Sequence, residues 1–187
     1  MPDKIDYHIG GVLIMALHAN AQRPWSLKMV APLELGIVCI DIDHMLEFYT
    51  GALGLKLVSD AETTPEMSKR FGATPYGYRI VRLQTPYGER IKLIQPGKPP
   101  EQNPVPEWVY ERQGFAYLTF VIADMKGVIK RLKEHGVKPL SDEPVEVRKG
   151  VFGLFCLDPE GNFVEFAEYP DISSYRPDLF KPHQSSK

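Results

Sequence analysis

The sequence predicts an α+β fold made of two βαβββ modules in tandem, and three observations predict it. An apolar strand, an aspartate of helix-capping type and an amphipathic helix follow one another twice, at residues 35–53 and 115–132. Each half then carries a tight turn with glycine in its fourth position, Thr85-Pro86-Tyr87-Gly88 and Asp158-Pro159-Glu160-Gly161, in which proline presets φ and glycine can take the left-handed conformation. Between the halves stand Pro96, Pro99, Pro100, Pro104 and Pro106, a density that reads as an extended linker.

Composition bounds the function. With 187 residues, 43% hydrophobic and 25% charged, the chain can bury one core or two small fused ones. Its net charge is −2 and its lysines and arginines are scattered, which excludes the footprint of a nucleic-acid binder and leaves a small molecule as the expected partner. Cys39 and Cys156 lie in apolar strand-like runs, where a free cysteine is a small buried hydrophobe. A reducing, cytoplasmic compartment fits. Residues 9–17 are apolar and precede Ala19-Asn20-Ala21, the spacing of a signal-peptidase site, yet Asp3, Lys4 and Asp6 make no positive leader and the run is too short to span a bilayer. Residues 1–32 are therefore expected to form an arm packed on the domain or on a second subunit, with no membrane involved.

In order, residues 33–95 form the first module. A strand at 35–40 leads to a helix capped at Asp41 or Asp43, with Met45, Leu46, Tyr49 and Leu53 at helical spacing and Gly51 and Gly54 at its stop. A strand follows at 55–58. Residues 60–77 read as a long loop with at most one helical turn, a cover for substrate, and strands at 78–84 and 90–94 flank the first tight turn. After the linker at 96–113, the second module spans 114–169. Its strand at 115–122 is followed by a helix with Val128, Ile129 and Leu132 on one face and Gly136 at its stop. A short strand is expected at 137–140, with Val145-Glu146-Val147 extending it or leading to the turn at Lys149-Gly150. The hairpin around residues 158–161 closes the module, and 170–187 is a tail.

The repeat can be tested on residues. Seven positions before the helix-start aspartates stand Glu34 and Tyr117, and four after the turn glycines stand Lys92 and Glu165. Each interrupts an apolar strand, so the four are matched in pairs and point to a shared internal site. In the last strand, alternation puts Phe163, Glu165 and Ala167 on one face and Val164 and Phe166 on the other.

At this point the chain resembles the vicinal oxygen chelate superfamily, the fold of glyoxalase I, bleomycin and fosfomycin resistance proteins, methylmalonyl-CoA epimerase and extradiol dioxygenases. The resemblance covers about residues 33–169. Its carriers are Gly36-Ile37-Val38-Cys39-Ile40-Asp41-Ile42-Asp43 with Phe48-Tyr49 and Leu53-Gly54-Leu55, and Asp158-Pro159-Glu160-Gly161-Asn162-Phe163-Val164-Glu165. It implies modules that curl into a half-open mixed sheet around a central cavity, paired within one chain or between subunits, and a homodimer as the default assembly. It also implies a metal held at the places of Glu34, Lys92, Tyr117 and Glu165, usually by His, Glu or Gln, His and Glu. Only Glu165 matches. No histidine stands there for a non-haem iron dioxygenase. An ammonium about 4 Å from a divalent ion, at an effective dielectric near 20, would be repelled by roughly 8 kcal/mol.

The simpler expectation is no metal, with Lys92 in its place. Glu165, beside Phe163 and Ala167, is expected to have a raised pKa and to take a proton from carbon next to a carbonyl, while Lys92 or Tyr117 stabilises the enolate and Glu34 completes the cluster. This describes an isomerase, epimerase or lyase, with Tyr76, Tyr78 and Phe163 shaping the substrate pocket. Three other readings stand beside it: a structural ion network, a metal site of Glu34, Tyr117 and Glu165 with Lys92 displaced, and a non-catalytic binding or resistance protein using an aromatic-lined cavity. His8, His18, His44 and His135 lack partners at metal-binding spacing, and the basic helix face of Lys126, Lys130, Arg131 and Lys133 reads as solvated. Arg79 and Arg82 fall on opposite faces of their strand, so at most one can grip an anion inside.

Overall fold

The computed structural model describes residues 29–180. The chain divides into a unit over Met1–Pro32 and a unit over Leu33–Lys187, and the second carries the fold. Residues 1–28 of the expected arm, with its signal-like run, His8 and His18, and the end of the tail from 181 onward lie outside the described residues.

The first module contains β1 (Glu34–Val38), α1 (Ile42–Glu47), β2 (Lys56–Thr63), α2 (Pro65–Arg70), β3 (Tyr78–Gln84) and β4 (Arg90–Pro96). The second contains β5 (Tyr117–Ile122), α3 (Met125–Glu134), β6 (Val145–Arg148), β7 (Val151–Leu157) and β8 (Phe163–Glu168), followed by a short α4 (Ile172–Tyr175) and a 3-10 turn at Pro177–Phe180. The strand orders are β1-β4-β3-β2 and β5-β8-β7-β6. In each sheet the first strand runs parallel to the last and all other pairs are antiparallel. These are two unclosed mixed sheets with interspersed helices, the α+β architecture the repeat predicts.

Local chemistry accounts for the helix ends. Asp41 accepts the His44 N–H at 3.0 Å and Asp124 accepts the Gly127 N–H at 2.9 Å, so the two matched aspartates are both N-caps. After α1 the chain widens into a π turn over Phe48–Ala52, closed by the Leu53 N–H on the Phe48 carbonyl at 3.1 Å. The matched hairpins also agree in detail. The Thr85 N–H reaches the Glu89 carbonyl at 3.0 Å and the Asp158 N–H reaches the Asn162 carbonyl at 2.9 Å, with Gly88 and Gly161 at φ 98° and 83°. Gly161 is required twice over, because a Cβ there would lie 2.2 Å from a methyl carbon of Val105 in the linker.

Two expectations are corrected. Residues 60–77 are a loop only over 71–77: β2 runs to Thr63, and Thr64 caps α2 with Pro65 in its first turn. Proline read as a loop marker was here a helix-start residue. A buried Ser68 hydroxyl donating to the Thr74 carbonyl at 2.7 Å then fixes the return. At 137–140 only an isolated bridge, Pro139 to Cys156, forms, and the edge strand is β6 instead. It contains Val145-Glu146-Val147, the segment expected either to extend a strand at 137–140 or to lead to the turn, with Val145 and Val147 exposed.

One continuous core joins the halves. Val81, Leu83, Ile91 and Leu93 of the first sheet and Leu154, Cys156, Val164 and Phe166 of the second share it with Ile42, Met45, Phe48, Tyr49, Met125 and Leu132 from the helices. Each sheet therefore gives one face to the core and turns the other away from it. Polar ties cross the same seam. Asp158, 4% exposed, accepts from the Tyr49 hydroxyl at 3.1 Å, the Asn162 side-chain amide at 2.9 Å, and the Glu160 and Asn162 N–H groups at 3.1 and 2.9 Å. Burial raises its pKa against the pull of those donors. Glu160 accepts the Ile40 and Asp41 N–H groups at 2.7 Å, and Arg131 donates to the Gly51 and Ala52 carbonyls at 2.7 and 3.1 Å. No helix among the described residues is long and apolar enough to cross a membrane.

Replacing Tyr49 by Phe removes one donor from a buried carboxylate while keeping the ring, so unfolding in urea should show a loss of about 1–3 kcal/mol. A loss indistinguishable from zero would mean that the tie between the modules carries no stability.

Candidate functional site

On the first sheet, the face turned away from the core carries Glu34, Gly36 and Val38 of β1, Arg90, Lys92 and Ile94 of β4, and Ile80, Arg82 and Gln84 of β3, as the strand register and alternation require. Glu34 is shared by two cations, with Arg90 Nη1 at 3.4 Å and Lys92 Nζ at 3.5 Å. Arg90 Nε also donates to Gln84 at 2.9 Å, and Arg82 donates to the Ser59 hydroxyl at 3.3 Å. Arg79 faces the other way, clamped by Asp43 and Asp60 at 2.8 Å each.

On the second sheet, the corresponding face is mostly apolar. Tyr117, Thr119 and Val121 of β5 stand beside Phe163, Glu165 and Ala167 of β8, and Phe155 of β7 adjoins Glu165 in the register. The Thr119 hydroxyl donates to Glu165 at 2.5 Å. Tyr117 packs edge-on against Phe155 at 5.3 Å and Tyr110 at 6.1 Å. A hydrogen bond with Tyr110 and burial, with smaller effects from the charges of Tyr110 and Glu165, push the Tyr117 phenol up to about 12. It is therefore a proton donor, not a phenolate, at neutral pH.

Of the four matched residues, Glu34 and Lys92 form an ion pair, while Tyr117 and Glu165 share the corresponding face of the second sheet with no hydrogen bond between them. No hydrogen bond or ion pair among the described residues joins one pair to the other. The sequence repeat identified equivalent positions, but each lies on a face turned from the common core. Of the expected pocket residues, Phe163 is buried, Tyr78 opens β3, and Tyr76 is exposed with Lys98 5.6 Å above its ring. Thr119, Phe155 and Tyr110 were missed. Thr119 was discoverable, since its place two residues beyond Tyr117 puts it on the same strand face.

A profile of the Glyoxalase/Bleomycin resistance protein/Dioxygenase superfamily matches residues 30–166. The chain belongs to that superfamily. A glyoxalase family protein from Bacillus cereus superposes with a TM-score of 0.66 at 21% identity, over 78% of this chain and 98% of its own. The trypanothione-dependent glyoxalase I of Leishmania major gives 0.57 at 18% identity, over 82% and 97%. A glyoxalase I mutant of Zea mays gives 0.57 at 20% identity, over 74% of this chain and 45% of its own. These likenesses support the fold. None of the curated proteins compared with the chain matches it.

A divalent ion of the kind the superfamily resemblance implies would require ligands at positions 34, 92, 117 and 165, and the donor set of this member does not fit one. Lys92 brings a positive charge and only donors, and Glu34 is already divided between two cations. Among the described residues, no three His, Cys, Asp or Glu side chains come close enough to share an ion.

A cleft of about 720 Å³ lies elsewhere, where the linker passes the second hairpin, lined by His44, Glu101, Arg112, Asp158 and Glu160 among others. None of the four matched residues borders it. Its carboxylates at 41, 158 and 160 accept backbone and tyrosine donors, and those at 158 and 160 help to tie the two modules together along this seam.

Glu34 and Lys92 are about one-third exposed, 33% and 30%, so the pair is partly solvated. Lys92→Met should change folding stability by no more than about 1 kcal/mol in chemical denaturation, as for other solvated ion pairs. A loss of 3 kcal/mol or more, on the order of that for a broken buried pair, would assign the pair a structural role.

Proposed function

We propose that this superfamily member is a metal-independent acid/base enzyme, an isomerase, epimerase or lyase acting on carbon next to a carbonyl of a small metabolite. The observation that carries the reading is the Glu165 carboxylate, held by Thr119 at 2.5 Å on a strand face otherwise lined by Phe155, Phe163 and Ala167. Glu165 takes the proton, the electron pair moves onto the carbonyl oxygen, and Tyr117 or Lys92 stabilises the enolate. Returning the proton to another position or face gives isomerisation or epimerisation, and loss of a group on the adjacent carbon gives a lyase. The aromatic face of Tyr110, Tyr117 and Phe155 also suits the second reading, a non-catalytic binding protein.

In this reading a homodimer brings the two kinds of face together. Support comes from β1 and β5, which are both unpaired sheet edges with Val38 56% and Val121 41% exposed. The compartment is the reducing cytoplasm, consistent with Cys39 and Cys156 being free and buried, each thiol pushed up to about 12 chiefly by burial.

Proton abstraction can be read before the product is known. Small ketones and 2-oxo acids incubated with the protein in deuterated water should exchange the hydrogen next to the carbonyl, followed by NMR. Glu165→Gln should slow that exchange by about 10²–10⁴-fold. Exchange unaffected by the substitution would remove Glu165 as the base, and bound compounds that never exchange would favour the binding protein. Sedimentation should give twice the chain mass, and Val38→Lys should yield monomers; a wild-type monomer would refute the shared site.

A further inference from the structure

Building on the acid/base reading, we propose that the outward face of the first sheet holds an oxyanion group of the substrate, a carboxylate or a phosphate, between Arg82 and Lys92. The two residues are direct cross-strand partners on β3 and β4, and like charges placed opposite one another destabilise a sheet unless something of opposite sign joins them. Among the described residues the protein supplies too little of it. Register places Lys56, Arg82, Arg90 and Lys92 on this face with Glu34 as the carboxylate, and Glu34 is divided between Arg90 and Lys92.

Arg79 shows what the chain does with a structural arginine. Three residues earlier on the opposite face, it is clamped by two carboxylates, Asp43 and Asp60. Among the described residues Arg82 has only the neutral Ser59 hydroxyl at 3.3 Å, so its guanidinium fork keeps donors to spare for an oxyanion. There is also room. Gly36 is the partner of Lys92 on the β1 side and places no side chain over that rung, while the next rung on the face, Ile80 with Ile94, offers an apolar floor for the carbon skeleton. An oxyanion on the Arg82 and Lys92 rung would satisfy both cations and leave the uncharged end of the substrate over the isoleucines.

Three carbonyl compounds separate the possibilities: 2-oxobutyrate carries a carboxylate, dihydroxyacetone phosphate a phosphate, and hydroxyacetone neither. Binding to the full-length protein is measured by calorimetry at low and high salt, and hydrogen exchange by NMR. At least one anion should bind more tightly than hydroxyacetone and weaken with salt. Arg82→Met should weaken that anion about tenfold or more without changing hydroxyacetone, and Arg82→Lys should restore part of the loss. Which anion responds identifies the group. Failure of both anions to bind, or equal effects of Arg82→Met on charged and neutral compounds, would overturn the proposal. The acid/base reading fails separately. If an anion binds through Arg82 but never exchanges, the oxyanion seat stands without catalysis; if Glu165-dependent exchange ignores Arg82 and charge, the base stands without the seat.

Discussion

The fold depends on a buried carboxylate. Asp158 closes its own hairpin through the amides of residues 160 and 162, and then reaches out of its module to the Tyr49 hydroxyl. A charge-bearing group in that position is costly unless each lone pair is met, which constrains the hairpin, the π turn and the packing of the first helix together. Because the helices and one face of each sheet are committed to the common core, the remaining faces are turned away from it.

The two faces differ in character although their positions are equivalent. One is cationic and hydrophilic, the other apolar with a carboxylate, a phenol and a hydroxyl. Such a division suits a ligand with a charged end and a neutral, carbonyl-bearing end, since the first is held by Coulomb attraction and the second needs a desolvated carboxylate nearby.

Much of the architecture was legible because it was written twice. The aspartate caps, the turn glycines and the apolar strands recur at fixed spacing, and each copy corroborates the other. What escaped detection was written once. Thr64-Pro65 reads as a loop because proline marks both loops and first helical turns, and β6 stayed one of two alternatives because its exposed valines give no half-buried alternation. The site was legible as positions but not as a constellation. Residue spacing shows that Glu34 matches Tyr117 and Lys92 matches Glu165, yet it carries no information on which way each sheet turns relative to the shared core. Arg82 was recognised only as one of two arginines on opposite faces, and its lack of a carboxylate became visible only beside the clamped Arg79.

The ties across the seam run in one direction. Asp158, Glu160 and Arg131, all from the second module, serve the Tyr49 hydroxyl, the amides at 40 and 41 and the carbonyls at 51 and 52, all in the first. Among the described residues the first hairpin makes no such hydrogen bond across the seam, and Thr85 turns its hydroxyl onto Glu89 of its own turn. For a chain made from its N-terminus, this order matters: the half that leaves the ribosome first waits on residues made last. Its first helix has to remain hydrated at its polar edge until the second hairpin emerges, so the duplicated modules are equals in outline and unequal as folding units.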